Sequence, residues 1–433
     1  MSTLVVRGPC SIAGNAVVPG DKSISHRALM IGAVGDGETT VRNLGSGEDI
    51  ASTISCLETY RVGIARVGNV AVVRGKGLRS WTQPDAALDC GNSGTTLRTL
   101  AGLATHCAFP SVLDGDASLR KRPMDRLVKP LAAFGARVET SGGFPPVTIE
   151  GGRLSGAHVH TGVASAQVKT AAIFTALGAE GQTIITEPAP SRDHTERLLT
   201  ALGAPIGQHR GGDGSHRVEL SGFAPPRFEI DVPGDVSSAA FLVAAAVLTG
   251  RVRVDGVGLN PTRIGFVELL ARMGGTVRWR TAEFRMGEPV GWIEAERSEL
   301  GPVGVEGPVV PIVLDELPLV AVMATQAHGT TTVTGAGELR TKESDRLATT
   351  IAALRLLGAE AEELPDGFSV HGPTSLIGTK VDGAGDHRVA MALAVAGLVA
   401  GGETLVDGFE AAAVSWPGFD RVLATLGADV ELR

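Results

Sequence analysis

Aromatic side chains are scarce in this chain: one Tyr, four Trp and twelve Phe among 433 residues, 4% in all. With 43% hydrophobic residues overall, any core must be built from Ala, Val, Leu and Ile. A basic excess is also missing. The formal net charge is −8, which excludes a general nucleic-acid binder, because displacing counterions from a duplex needs clustered positive charge. It does not exclude a small anionic ligand, since a few Lys and Arg in a cleft focus their own field. Cysteine is limited to Cys10, Cys56, Cys90 and Cys107, with no CxxC pair and no His at metal-ligand spacing, so these read as reduced, mostly buried thiols. The first residues, MSTLVVRGPC, lack the basic and apolar regions of a signal peptide. No run approaches ~18 apolar residues free of charge, so no membrane span is expected. These absences together predict a cytoplasmic protein.

Several catalytic signatures are absent as well. PGDKS does not have the spacing of a P-loop, and GNSGTT is not a GxGxxG turn. There is no GxSxG elbow and no HExxH pair. The ten His do not cluster as ligands, and no metal is expected; His26 and His387 read as polar liners among cations.

What the sequence does contain is a repeat. A polar cluster, a small-residue apolar run, a Gly and a Thr/Val-rich segment recur six times, starting at Asp21, Gly91, Ser165, Asp235, Asp315 and Asp386. Each copy is followed by an amphipathic stretch, such as TERLLTALGAPI or FDRVLATLGADVEL; the first of these stretches, DIASTISCLETYRVGIARV, is the least regular. Each unit of about 70 residues therefore predicts a helix, a strand, a second helix and further strands. A helix apolar on all sides is one that is fully buried, whereas the amphipathic one belongs outside against a sheet. Two near-identical tetrapeptides, Val18-Pro19-Gly20-Asp21 and Val232-Pro233-Gly234-Asp235, stand half a chain apart and predict crossovers between two halves. The expected division is 1–19 plus 234–433 for one domain and 20–233 for the other, with a ligand cleft between them.

Helix N-termini expose free N–H groups and partial positive charge, so helix starts that gather at one place attract anions. Cations stand at these starts: Lys22, Arg27, Arg98, Lys169 and Arg388. Capping residue types stand there too: Ser23, Ser25, Asn92, Ser165, Ser237 and Ser238. A cation at a helix N-terminus opposes the dipole, and residues that cost local stability point to a ligand. Further charge lies in DGDASLRKRPMDR, with Arg120, Lys121, Arg122 and Arg126, and in ELRTKESDR, with Arg340, Lys342, Glu343, Asp345 and Arg346. Asp315-Glu316 interrupts the apolar run VVPIVLDELPLV and is a candidate for acid/base work.

Seven segments in order, PGDKSISHR, GNSGTTLR, DASLRKRPM, ASAQVK, LDE, TKESDR and GDHRVAM, resemble the EPSP synthase (3-phosphoshikimate 1-carboxyvinyltransferase) family over essentially the whole chain, with SAQVK resembling its second class. The resemblance implies two inside-out α/β barrel-like domains, each of three βαβαββ repeats, with a cleft between them. It implies transfer of the carboxyvinyl group of phosphoenolpyruvate to the 5-hydroxyl of shikimate 3-phosphate, without metal or organic cofactor, by a cytoplasmic monomer that the herbicide glyphosate targets. Carried over by position, Lys22, Ser23, Arg27, Ser165, Ala166, Gln167, Arg192, Asp315 and Lys342 match shikimate-3-phosphate contacts. Lys22, Gly94, Arg122, Gln167, Arg346 and Arg388 match phosphoenolpyruvate contacts. Asp315, Glu343, Lys342 and Lys22 match the catalytic group, with Asp315 as the base for the hydroxyl and Glu343 as the proton donor to the methylene. One departure stands out: AAAVSWP has Val414 where the best-known family members carry a Lys.

Two other readings remain beside this one. The sister UDP-N-acetylglucosamine enolpyruvyl transferase has the same six-unit plan, but uses a Cys in a loop that here reads DGDASLRKRP. A non-catalytic anion-binding module would leave the carboxylates Asp315 and Glu343 without work.

Overall fold

The six apolar runs are rich in small and aliphatic residues, and five of them are opened by a residue whose side chain caps the helix. The computed structural model describes residues 2–433. Its helices, among the described residues, are α1 (Lys22–Val34), α2 (Glu48–Thr59), α3 (Gly94–Ala104), α4 (Val128–Ala132), α5 (Ala166–Ala176), α6 (His194–Ala201), α7 (Val236–Thr249), α8 (Gly265–Arg272), α9 (Val310–Val313), α10 (Leu317–Ala324), α11 (Arg346–Leu356), α12 (His387–Gly397) and α13 (Phe419–Thr425). The six runs are α1, α3, α5, α7, α10 and α12. Every residue of α10 and α12 is buried, as are most of the other four. The amphipathic stretches became α2, α4, α6, α8, α11 and α13, each with one buried face.

The chain divides into two compact units. One comprises the chain up to Pro19 together with Pro233–Glu283 and Pro289–Arg433. The other comprises Gly20–Val232 and Phe284–Glu288. Each has its own hydrophobic core.

Each unit holds three four-stranded sheets of one design, a parallel pair extended by two antiparallel strands. In one of them, His158–His160 runs parallel to Gln182–Glu187, which pairs antiparallel with His216–Ser221, which in turn pairs with Ile206–Arg210. Helix α5 links the parallel pair, a crossover that parallel strands require.

Two repeats depart from this local wiring, at the two Val-Pro-Gly-Asp segments. The strand before α1, Ala13–Ala16, pairs not with the strand after α1 but with Arg251–Gly258, which follows α7. The strand before α7, Glu229–Asp231, pairs with Asp36–Arg42, which follows α1. The crossings at the two Val-Pro-Gly-Asp segments thus exchange one strand each, and each unit has three four-stranded sheets. The N-terminal strand Thr3–Gly8 inserts between Gly402–Asp407 and Val430–Leu432, tying both ends of the sequence into one sheet.

The helical stretch Gly307–Ala324 is, among the described residues, the one long and apolar enough by length and composition to cross a membrane, with mean hydropathy 1.7. It carries Asp315 and Glu316, and 67% of it is buried inside the protein.

Enclosed helices approach one another closely only through small residues. A Cβ added to Gly102 on α3 would stand 2.2 Å from the carbonyl oxygen of Ala171 on α5. Backbone cannot yield there as a flexible side chain could. Gly102→Ala is therefore expected to cost about 1–3 kcal/mol despite the better helix propensity of Ala. Urea unfolding of the variant checks this, and an unchanged or raised midpoint would contradict it.

Candidate functional site

In the unit formed by Gly20–Val232 and Phe284–Glu288, the first turns of α1, α3 and α5 come together. His26 on α1 meets Thr53 on α2 at 2.7 Å, and Thr53 meets Thr96 on α3 at 2.7 Å. Gln167 on α5 donates to Thr95 Oγ1 at 2.9 Å and accepts from Arg98 at 2.7 Å, which joins α5 to α3. Side-chain oxygens of Asp21, Ser93 and Ser165 cap these helices.

The expected residues of this unit lie around those starts. Lys22 Nζ sits 2.9 Å from Asp49 Oδ2 on α2. The Arg27 guanidinium is almost fully buried, donating from Nε to Thr195 Oγ1 (2.7 Å) and from Nη2 to Thr170 Oγ1 (2.9 Å), while the Ser23 carbonyl accepts from its Nη1 at 2.9 Å. Arg122 follows a short 3-10 turn and donates to Asn92 and to Ser118 Oγ. Gly94 opens α3 beside it; a Cβ there would stand 3.0 Å from Arg98 Nη1 and 3.6 Å from Arg122 Nη1, so a small residue leaves both guanidinium groups undisturbed. Ser165 is the cap of α5 and Ala166 its first residue. Arg192 lies on the loop between the strand Gln182–Glu187 and α6.

In the other unit, α7, α10, α11 and α12 begin close together. Arg346, the first residue of α11, is the hub. Its Nε lies 2.7 Å from Asp386 Oδ2, its Nη2 2.6 Å from Glu343 Oε2 and its Nη1 3.5 Å from Asp315 Oδ1. Lys342 Nζ is 3.9 Å from the same Asp315 oxygen. Arg388 pairs with Glu316 at 3.1 Å, and Ser237 donates to Glu316 as well. Burial works against the charge of Arg346, but Asp386, Glu343 and Asp315 outweigh it and raise its pKa further. Burial likewise works against ionised Asp386, and Arg346 with His387 overcomes that and holds the carboxyl below its usual range. Val414 ends the 3-10 turn Phe409–Val414, half-buried.

The structure thus gathers Lys22, Ser23, Arg27, Gly94, Arg122, Ser165, Ala166, Gln167 and Arg192 in one unit, and Asp315, Lys342, Glu343, Arg346 and Arg388 in the other. Some expectations need correction. Lys169 does not stand open at a helix start; its side chain is wholly buried between Glu187 and Glu196. His26 is no liner but lies inside, where burial and then Lys22 and Arg27 push its pKa well down. Asp235 caps α7 while Ser237 and Ser238 lie within it, and Ser93 rather than Asn92 caps α3. The sequence reading passed over Asp49, Glu316 and Asp386 as the partners of the cations. Glu316 stood out in the sequence beside Asp315 as an acid/base candidate and Asp386 as the start of a repeat, but neither as the partner of a cation.

Comparisons with known proteins bear on the family and the fold. A model of the EPSP synthase (3-phosphoshikimate 1-carboxyvinyltransferase) family matches residues 6–423. A 3-phosphoshikimate 1-carboxyvinyltransferase of Desulforamulus reducens is 45% identical over 426 residues, covering 97% of this chain and 98% of the relative. A crystal structure of an EPSP synthase from Acinetobacter baumannii superposes with a TM-score of 0.87 at 37% identity, covering 100% of this chain and 99% of that one. The enolpyruvyl transferase NikO from Streptomyces tendae, at 19% identity and a TM-score of 0.79, shares the fold.

Because the folded pKa of Asp386 is depressed, its contribution to stability is complete above the unfolded value of about 3.9 and is lost as pH falls through the folded one. Asp386→Asn, which leaves Arg346 buried with one partner fewer, is expected to cost about 3–5 kcal/mol near pH 7. The gap from wild type should close as pH drops below about 4. Urea titrations across that range measure both, and a gap that stays constant with pH would contradict the assignment.

Proposed function

The chain belongs to the EPSP synthase family, and on that premise we propose that it transfers the enolpyruvyl group of phosphoenolpyruvate to the 5-hydroxyl of shikimate 3-phosphate, releasing phosphate, in the route to chorismate and the aromatic amino acids. The observation that carries the reading is the arrangement of Asp315, Lys342 and Glu343 around the buried guanidinium of Arg346. It supplies two carboxylates and two cations within reach of one another.

Phosphoenolpyruvate carries a carboxylate and a phosphate, which the planar forks of Arg122, Arg346 and Arg388 suit, with Lys22, Gly94 and Gln167 completing its contacts. Lys22, Ser23, Arg27, Ser165, Ala166, Gln167 and Arg192 hold shikimate 3-phosphate, with Asp315 and Lys342 at its reacting hydroxyl. A hydroxyl is a weak nucleophile, so Asp315 takes its proton as the oxygen attacks C2 of the enol. Glu343 gives a proton to the methylene carbon. The tetrahedral adduct then loses phosphate, and a proton leaves the new methyl group to restore the double bond. Fixed cations stabilise the charge that develops, so these residues need no metal or organic cofactor to carry the steps.

The ion pairs among these residues fit this scheme. Arg346 holds Glu343 at 2.6 Å. A substrate carboxylate that takes over the guanidinium frees Glu343 to accept the proton it later donates. The same reading places a monomer in the cytoplasm.

The test is phosphate release from phosphoenolpyruvate with shikimate 3-phosphate, and in parallel with UDP-N-acetylglucosamine, as acceptor. Release is expected with the first alone. Asp315→Ala and Glu343→Gln should each lower kcat by roughly 10²–10⁴-fold. Release with the nucleotide sugar alone would transfer the chain to the sister reaction. Binding of both substrates without turnover would leave an anion-binding module.

A further inference from the structure

The same unit that holds Arg27 and Arg192 contains a second cluster of charge, wholly enclosed and without a part in the chemistry above. Lys169 Nζ lies 2.7 Å from Glu187 Oε1 and 2.9 Å from Glu196 Oε1, and none of the three side chains is exposed to solvent. Burial works against the charge of Lys169, but Glu196 and Glu187 outweigh it and raise its pKa. Burial opposes the charge of Glu187 too, and His216 and Lys169 together hold its carboxyl below the usual range. All this carries a cost, since ions taken out of water lose several kcal/mol each, and apolar side chains of the same size would serve stability equally well.

The connections of the cluster show what it holds. Glu187 is the last residue of its strand and receives the backbone N–H of Ser191 at 3.1 Å, the Ser191 hydroxyl at 2.6 Å and His216 Nδ1 at 2.9 Å. Lys169 also donates to the Ser191 carbonyl at 3.3 Å. The loop is therefore fastened from both its N–H and its C=O side at the residue before Arg192. The far end of the loop is fastened through Glu196 on α6. The neighbours of the two α5–α6 partners extend the same seam: Thr170 follows Lys169, Thr195 precedes Glu196, and their hydroxyls meet at 2.7 Å while both accept from Arg27.

We propose that the Lys169–Glu187–Glu196 cluster is a positioning device for the phosphorylated acceptor, fixing the Arg192 loop and, through Thr170 of α5, the guanidinium of Arg27 on α1 in the geometry that receives it. The inference rests on the functional reading above. It adds Lys169, Glu187 and Glu196 as residues that act through Arg27 and Arg192 without touching substrate. A loop pinned at the residue beside its cation loses little further freedom when the anion arrives, so the ordering cost is met in folding instead of in binding.

The test separates the two substrates. Glu187→Gln keeps the shape and removes the charge, and the double variant Lys169→Met/Glu187→Gln removes one buried charge of each sign. Both are expected to raise the KM for shikimate 3-phosphate on the order of 10–100-fold while the KM for phosphoenolpyruvate stays at the wild-type value. His216→Gln, which loses one contact to Glu187 at the edge of the cluster, should move the same KM in the same direction by less and guards against variants that fail to fold. A lowered melting temperature with both KM values unmoved, or equal rises in the two, would overturn the proposal and leave the cluster a part of the core. Wild-type protein inactive with shikimate 3-phosphate would instead remove the functional reading, and this inference with it.

Discussion

A helix that is apolar on every face cannot lie on a surface; it must be surrounded. This sequence contains six such helices, and most of its other features answer to that requirement. An amphipathic helix needs one sheet, but an enclosed one needs cover on all sides, and three sheets arranged around three helices supply it. The scarcity of aromatic residues follows, because Ala, Val and Gly let backbones come as near as Gly102 comes to Ala171. Enclosure also leaves only the helix ends for polar chemistry. At the starts, unpaired N–H groups and the dipole favour negative charge, and the chain meets that preference with Asp21, Asp235 and Asp386 as caps.

Cations placed at the same starts then need partners of their own. Arg346 has Asp386, Glu343 and Asp315 around it, Arg388 has Glu316, and Lys22 has Asp49. Charges so arranged are poor contributors to stability, since pairing in a dry interior does little more than offset desolvation. On the function proposed above they suit the reception of anions, because a substrate carboxylate or phosphate would replace a carboxylate already there with little new desolvation. The division between partners is informative. Asp386 has no exposed side-chain surface and ties Arg346 down, whereas Asp315 and Glu343 keep 18% of theirs.

The repeat and its period were legible in the sequence because enclosure imposes composition along whole segments: a run such as VSSAAFLVAAAVLT has no other reading than a buried helix. The sites of the two crossings were legible for the same kind of reason, as Val18-Pro19-Gly20-Asp21 and Val232-Pro233-Gly234-Asp235 are local. What the crossings do was not. The exchange of Ala13–Ala16 and Glu229–Asp231 between repeats is a matter of pairing across more than 180 residues, and no local pattern encodes it. Site cations were legible as types, since Lys and Arg are conspicuous beside apolar runs, but their environment was not. Lys169 and Arg388 look alike in sequence, each near the start of a buried helix. One is sealed between two glutamates from a later strand and helix, and the other faces Glu316 at the start of α10. Capping was misread at α3, where two candidates stand side by side: Ser93 caps the helix, and Asn92 holds Arg122 instead.

Repetition also explains how so regular a scaffold carries so uneven a site. Six equivalent helix starts offer six equivalent places for polar residues, and the sheets that cover the helices do not depend on which residues stand there. One start can keep a plain cap, as Asp235 does with Arg263 at 3.2 Å, while another gathers ionised side chains. In the unit of Gly20–Val232 the starts have accumulated cations, hydroxyls and small residues, the set that the proposed function uses to bind anions. In the other unit they have accumulated carboxylates beside cations, the set that it uses to move protons. Transfer of an enolpyruvyl group requires both capacities, recognition of two phosphorylated anions and proton traffic at a carbon and an oxygen. A scaffold whose starts diverge independently can develop the two on separate units without a change in either core.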